Sequence, residues 1–416
     1  MPSLNATIIR QMSLQETAAI LATETLVGAT ELVTEGVPGP VAAAYDAAAS
    51  RVESATPVQV SWRPGRSLTV RYRVRGRGRL EGDRQVVATI GDVPEGALVV
   101  EGPGGAVGIW VVPHDPSLPG LVSALDPVTV GELLRSLGAT EPVHRVRLRS
   151  YRPGRRGVVE AQAGASSIYL KVVPPGEAQA LHSRHRHLAE VMSVPDSLGL
   201  ARELGIVAMR ALPGSPLRTV LKGDSPDLPS AASIAALIGS LPDPPDDAPA
   251  SSPMIRASRM AQLLVRIVPD ERDRIDEILG EIGSEPEVAR VPVHGDFHEA
   301  QILMTGARPT GLIDVDGYGW GRAGDDPATM LGHLSMLAPS CRDPEAVFGF
   351  ARELNRIWDR VVDPPDLRRR TAAVVLGLAT GPFRVQLANW PEATRARIET
   401  ARTWVESARS VGETRT

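Results

Sequence analysis

Apolar positions along the chain fall into three regimes. Over residues 14–50 they recur at three-to-four spacing through Ile20, Leu21, Leu26 and Leu32, which predicts helix interrupted at Pro38 and Pro40. From Val58 to Val112 the period drops to two. Val70, Tyr72 and Val74 alternate with Arg71, Arg73 and Arg75, and the arginine row runs on through Arg77 and Arg79. This predicts a half-buried sheet with the arginines on its wet face. Gly102-Pro103-Gly104-Gly105 separates two apolar runs and reads as a turn between strands, not a dinucleotide fingerprint, because no helix follows it. Beyond residue 175 the period lengthens again. Helix is predicted over Glu177–Val191, 255–283 with a break near Pro269, 326–338 and 345–410. A short strand is read at Ile206–Met209, a helix start at Ser215-Pro216, and a loop over 242–253.

A partial repeat lies within the strand-rich part. Ser61-Trp62-Arg63-Pro64-Gly65-Arg66 recurs as Ser150-Tyr151-Arg152-Pro153-Gly154-Arg155. Each copy precedes another strand, Gln85–Ile90 in the first case and Ile168–Val173 in the second, so two related small sheets are expected. Only the second carries a lysine, Lys171.

Composition sharpens that detail. The 416 residues include 45 Lys and Arg, yet Lys171 and Lys222 are the only lysines. Asparagine is nearly as rare, at Asn5, Asn355 and Asn389. Codon bias in a GC-rich genome accounts for the skew, and it makes a lysine kept on a strand more telling, because Lys is the compact point charge suited to phosphates. Net charge is −4, so no global basic field favours nucleic acid or anionic membrane. The single Cys341 excludes an internal disulfide framework and Cys-based zinc sites. Met1 to Gln11 lacks the layout of a signal peptide, and no apolar run reaches the ~18 residues of a membrane span. A cytoplasmic protein is expected.

The chemistry concentrates in Val293-His294-Gly295-Asp296-Phe297-His298-Glu299-Ala300-Gln301-Ile302-Leu303-Met304, followed by Gly311-Leu312-Ile313-Asp314-Val315-Asp316-Gly317. Two short apolar strands flank the turn Thr305–Thr310, and pairing them as a hairpin sets Gln301 and Asp314 beside each other, with Asp296 just upstream. Two oxygen donors beside a loop carboxylate suit Mg2+, which completes its shell with water and phosphate. The carboxylate is placed to accept a hydroxyl proton, the layout of kinase catalytic loops. His294 and His298 read as braces of the loop rather than a transition-metal pair, since no cysteine or nearby third histidine is evident. Asp316 reads as a turn former or as a residue that supports the site from behind its ligands, the turn being slightly favoured. Asp325-Asp326 reads as a helix cap that ties down the loop. His182, His185 and His187 read as a polar helix face. Gly-Asp-x-His also occurs in metallophosphatases, but Glu299 replaces their glycine. No P-loop element exists.

At these residues the sequence resembles the aminoglycoside phosphotransferase-like branch of the protein-kinase fold, whose motif runs His-Gly-Asp-x-His-x-x-Asn and then an Ile-Asp strand. The resemblance covers roughly residues 141–340. It implies an α+β, bilobal fold with a strand-rich cap over residues 1–140, an N-lobe over 141–212 and a mostly helical C-lobe over 213–416. It implies that Asp296 is the catalytic base or aligner, that Asp314 chelates Mg2+ with Gln301, and that Lys171 grips the phosphates of ATP. Glu177 is the candidate to orient Lys171, with Glu190 second. Met209 to Ala211 is the candidate hinge for adenine. Arg152 to Gly157 joins two strands where a kinase places its phosphate-covering loop, with Arg155 or Arg156 available for phosphate.

Gln301 replaces the usual asparagine, as in maltokinase and bacterial glucosamine kinase relatives, which also carry an N-terminal cap. The segment Asp314–Tyr318 lacks the Phe-Glu-Gly-Glu-Pro continuation of maltokinases, which argues against maltose. The expectation is an ATP- and Mg2+-dependent kinase acting on a hydroxyl of a sugar, aminosugar or aminoglycoside-like acceptor. Acidic residues of the C-lobe are expected to meet a cationic acceptor. A catalytically silent binding protein and an antibiotic-resistance phosphotransferase are the alternatives. No nucleic-acid or membrane partner is expected, and the oligomeric state is open.

Overall fold

A computed structural model describes residues 4–414 except 35, 103, 224–227 and 287. Five strands, β1 (Ser50–Arg63), β2 (Ser67–Gly78), β3 (Gly82–Ile90), β4 (Leu98–Gly102) and β5 (Gly105–Val111), form an antiparallel sheet in the order β1-β2-β3-β5-β4. Gly102 pairs with Gly105 across the predicted turn, whose Pro103 lies outside the described residues. Five more strands, β6 (Val143–Arg152), β7 (Arg156–Ala163), β8 (Ser166–Val172), β9 (Ser197–Ala201) and β10 (Ile206–Arg210), form a second sheet in the order β6-β7-β8-β10-β9. The connectivity is the same in both, so the sequence repeat is a repeat of structure.

The equivalence extends to single residues. In each copy one carboxylate holds the turn between the first two strands. Glu24 accepts from Trp62 Nε1 at 2.7 Å and Gly65 N at 3.1 Å. Asp115 accepts from the Tyr151 hydroxyl at 2.7 Å and Gly154 N at 2.8 Å. Both glycines sit in the left-handed region, φ 68° and 65°, as a tight turn requires. Thr69 pairs with Thr89 and Val158 pairs with Lys171, so Thr89 occupies the position of Lys171 in the first sheet. It hydrogen-bonds Thr69 at 2.8 Å instead of offering a charge. The copies differ after the third strand. The second inserts the helix Pro175–Ala189, whereas β3 and β4 are joined directly.

The predicted alternation fits β2. Val70, Tyr72 and Val74 are fully buried and Arg73, Arg75 and Arg77 exposed. Arg71 departs from it. Its guanidinium reaches the Tyr151 carbonyl at 3.3 Å and lies over the Tyr151 ring, joining the two sheets. The first sheet packs on the helices Pro253–Ile267, Arg272–Ile282, Pro364–Leu378 and Trp390–Glu413 in one apolar cluster. A second cluster gathers the hairpin near residue 302 with the helices Asp325–Leu337 and Pro344–Trp358.

One expectation needs correction. The stretch 14–50 is a helix ending at Leu21, a short turn of helix at Thr30–Val33, and a new helix Gly39–Ala47, in which Pro40 sits in the first turn where its missing N–H costs nothing. The helices Gly120–Ala124 and Pro127–Ser136 were not legible as such, being short and proline-led. Among the described residues no helix is long and apolar enough to cross a membrane.

Candidate active site

The loop 294–301 hangs between two small sheets. β11 (Ser215–Pro216), β13 (Ile302–Thr305) and β14 (Arg308–Leu312) form one, and β12 (Val291–Val293) pairs with β15 (Gly319–Gly321) in the other. Gly295 has φ 79°, and a Cβ there would lie 2.3 Å from the Gly317 carbonyl, so only glycine fits. Asp326 accepts from His294 N at 2.6 Å and Gly295 N at 3.0 Å, which fixes the loop backbone. Asp325 instead meets the buried Arg370 at 2.7 Å, which also reaches Asp366 and Glu285, each at 2.8 Å. Of the expected pair, therefore, Asp326 ties down the loop and Asp325 anchors the helix to its neighbour.

Within that frame Ile302 pairs with Leu312, and Ile313 N donates to the Gln301 carbonyl at 2.8 Å. The Gln301 amide lies 3.5 Å from Asp314 Oδ2. Asp314 is in the left-handed region, φ 58° and ψ 47°, a strained conformation in which Asp is better tolerated than most residues. Two cations converge on it from the second sheet. Lys171 Nζ lies 2.8 Å from Asp314 Oδ1 and also bonds Asp316. Arg156 forms a two-pronged pair with Asp314, both contacts at 3.1 Å, and reaches Asp316 at 2.9 Å. Burial opposes ionisation of Asp314, but Lys171 and then Arg156 outweigh it and hold the carboxyl well below its usual range. Asp316 is thus more than a turn former. It shares both cations with Asp314.

Asp296 points into the same cleft with its side chain 39% exposed, open to an incoming molecule. Burial raises its pKa, yet the His298 imidazolium 3.8 Å away overcomes this and brings it to about 2. His298 is pushed up in turn, to about 9, because Asp296 and Glu299 outweigh its burial. Glu299 is fully buried and bonded to Arg218 at 2.7 Å. His333 supplies the third histidine that the sequence did not reveal, and the Asp296, His298 and His333 donor atoms lie within 4.8 Å of one another. The two rings stack face to face, 4.0 Å apart and 4° from parallel. His298 lies beside the loop carboxylate, 3.8 Å from Asp296 Oδ2, and its Nδ1 faces the Ala300 N–H at 3.2 Å.

Other expected residues are elsewhere. Glu177 is exposed in the first turn of the helix Pro175–Ala189, and Glu190 is exposed at its end. Neither reaches Lys171, whose ammonium is taken by Asp314 and Asp316. The helix instead turns Arg184 and His185 inward. Arg184 bonds the Asp316 carbonyl at 2.8 Å. His185 is 1% exposed, bonds the Pro195 carbonyl at 2.8 Å through Nδ1, and leaves Nε2 without a partner among the described residues. Reading His185 as surface is therefore wrong. Its helix is amphipathic, and position 185 shares the inward face with Leu181 and Leu188. Met209 lies inside β10, paired with Tyr169 on one side and Ser197 on the other. Ala211 donates its N–H to the Ser167 carbonyl at 3.1 Å, and Arg210 N is held by Asp196. The N–H groups of Arg210 and Ala211 are thus committed within the lobe, and only carbonyls of the expected hinge remain for a base.

The sequence pattern of the phosphotransferase enzyme family (APH) matches residues 149–362. The chain belongs to this family. It is accordingly a small-molecule phosphotransferase, a kinase with a hydroxyl acceptor, and its α+β bilobal fold is the family's. No curated protein sequence matches it. Among solved structures it is similar to the aminoglycoside phosphotransferase APH(4)-Ia, at 16% identity and TM-score 0.45, covering 66% of this chain and 97% of that one. It is also similar to choline kinase from Cryptosporidium parvum Iowa II, at 12% identity and TM-score 0.47, covering 69% and 97%. A third is the macrolide 2'-phosphotransferase MphH from Brachybacterium faecium, at 19% identity and TM-score 0.41, covering 65% and 97%. Family membership rests on the sequence pattern alone. This member departs from its family's motif at Gln301, and it carries the first sheet, which lies ahead of the matched residues.

Proposed function

We propose that the protein transfers the γ-phosphoryl group of ATP to a hydroxyl of a sugar-type small molecule, with Mg2+ as cofactor. The reading is carried by one observation: a strand lysine, a strand-end aspartate and a loop aspartate meet in one cleft, and the loop aspartate is ionised and open. In this reading residues 1–140 form a cap, 141–212 the N-lobe and 213–416 the C-lobe.

The donor set fits Mg2+. Asp314 is held as a carboxylate and the Gln301 amide lies beside it, both hard oxygen donors once the amide is turned so that its carbonyl faces Asp314. Held by Asp314 and Gln301, Mg2+ would supply charge neutralisation to the phosphates. Lys171 and Arg156 exchange Asp314 and Asp316 for the phosphate oxygens of the nucleotide. Asp296 accepts the hydrogen bond of the acceptor hydroxyl and aims its oxygen at the γ-phosphorus. The acceptor O–P bond forms, the bond to the ADP oxygen breaks, and the hydroxyl proton passes through Asp296 to solvent. A carboxylate with a pKa of about 2 is a weak base, so Asp296 acts mainly by orientation and the proton leaves late. That suits a loose transition state, in which positioning and charge neutralisation dominate.

The test is purified protein with Mg·ATP and pooled sugars, aminosugars and aminoglycosides, scored by new phosphate esters. Ester formation is expected. No ester from any pool, together with no Mg2+-dependent nucleotide binding, overturns the reading.

A further inference from the structure

The turn between β6 and β7 runs from Arg152 to Arg156, which face each other across its base. Arg156 is the residue that pairs with Asp314 and Asp316. The backbone donors within the turn are committed. Pro153 has no N–H, Gly154 N donates to Asp115 Oδ2 at 2.8 Å, and Arg155 N donates to the Arg152 carbonyl at 3.0 Å. A loop that cradles phosphate does so with free backbone N–H groups. Pro153, Gly154 and Arg155 have none to give. What the turn brings to a phosphate is therefore the Arg156 guanidinium, and that depends on where the turn is held.

It is held from behind, by residues ahead of the N-lobe. Asp115 and Tyr151 are both buried. Asp115 Oδ2 accepts from the Tyr151 hydroxyl at 2.7 Å as well as from Gly154, and its Oδ1 accepts from Ser117 N at 2.9 Å. Trp110 Nε1, from β5, donates to the same hydroxyl at 2.8 Å. Arg71, from β2, donates to the Tyr151 carbonyl at 3.3 Å and lies over its ring, 5.9 Å from the centroid. The fully buried Leu121 packs under Gly157, where a Cβ would come within 2.8 Å of Leu121 Cδ1. The Tyr151 hydroxyl both donates and accepts, and both Asp115 oxygens are used. A buried network satisfied in this way is rigid and holds one geometry. In the first copy Glu24 anchors the equivalent turn, but Arg63 and Arg66 of that turn pair with Asp92 and no residue of it joins the cleft. The second copy keeps the anchor and adds to it a guanidinium aimed at Asp314.

We propose that Asp115 and Tyr151 are positioning residues for nucleotide binding: they fix the β6–β7 turn so that the Arg156 guanidinium, in place of backbone N–H groups, meets the phosphates. This inference rests on the phosphotransferase reading above and gives the region ahead of the N-lobe a part in it. An arginine fork matches phosphate bidentately only when its stem is held at the right distance and angle.

The experiment uses the full chain and reads binding rather than turnover. Calorimetry with saturating Mg2+ and a non-hydrolysable ATP analogue gives the dissociation constant. Asp115→Asn sets an amide N–H against Ser117 N or against Tyr151 and Gly154, whichever way it turns. Tyr151→Phe is milder, removing the hydroxyl while keeping the ring beneath Arg71. Each should weaken analogue binding about tenfold, the worth of one charge-assisted contact. In an Arg156→Ala background the same substitutions should change binding by no more than about twofold, because they act through Arg156. Glu24→Gln makes the equivalent change in the first copy. It should lower the midpoint of denaturant unfolding, as Asp115→Asn does, yet leave the dissociation constant within about twofold. Unchanged binding in both Asp115→Asn and Tyr151→Phe overturns the proposal. So does a loss of equal size with and without Arg156, or an equal loss in Glu24→Gln. A wild-type chain that binds no analogue overturns the phosphotransferase reading and this inference with it, whereas wild-type binding leaves that reading standing whatever the variants show.

Discussion

Arg156 and Asp314 close on each other as a two-pronged ion pair, both contacts 3.1 Å, from positions 158 residues apart in sequence. The guanidinium occupies the carboxylate oxygens that a divalent cation would use, so metal and arginine compete for Asp314. Mg2+ without nucleotide should therefore bind weakly. Arg156→Ala should tighten Mg2+ binding by about tenfold, the worth of one charge-assisted hydrogen bond. Calorimetric titration with MgCl2 alone measures it, and an unchanged or weaker affinity would contradict the competition.

Asp296→Asn keeps the size of the side chain and removes its charge. Turnover should fall by about 10²–10⁴-fold, the usual worth of a positioned acid or base. Because Asp296 touches the nucleotide-binding side only through the loop, nucleotide affinity should barely move. Retained turnover would dismiss Asp296 as the group that meets the acceptor.

Arg370 is fully buried among Asp325, Asp366 and Glu285. Arg370→Met leaves three carboxylates without their shared cation. Stability should drop by about 3–5 kcal/mol, as when one member of a buried charge network is removed. Denaturant unfolding with a two-state fit measures it, and a loss under ~1 kcal/mol would show that water replaces the guanidinium.

Burial of His185 should make stability depend on pH. Burial, and then the nearby Lys171 ammonium, push its pKa down to about 4. The unfolded chain binds its proton near the ordinary histidine value, so between about 6.5 and 4 the unfolded state takes up more protons than the folded one. The stabilisation from keeping His185 neutral is complete above that window and is lost as pH falls through it. The loss amounts to at most about 3 kcal/mol. His185→Gln can still donate to the Pro195 carbonyl but does not titrate, so its stability should decline less steeply from pH 6.5 to 4. Parallel wild-type and variant curves over that range would rule out His185 as the source.

What the sequence determined by itself was local. Asp296, Gln301 and Asp314 fall within one loop and one hairpin, and a hairpin's register follows from its apolar alternation and its turn. Lys171 was legible for a different reason: it is one of two lysines and stands on a strand in the second copy of a repeat. The tertiary structure decided everything that depends on how lobes approach. Glu177 has the charge to orient Lys171 but lies on the outward face, while Asp316 reaches the lysine through a turn of left-handed backbone. His333 joins His298 and Arg156 joins Asp314 only because separate elements pack side by side. Such meetings leave no periodic mark, because each residue's own strand or helix is satisfied with or without them. Their partners are chosen by the burial of apolar faces, here Trp62 on Phe383 and one shared core beneath the first sheet, and the charges follow where those faces lead.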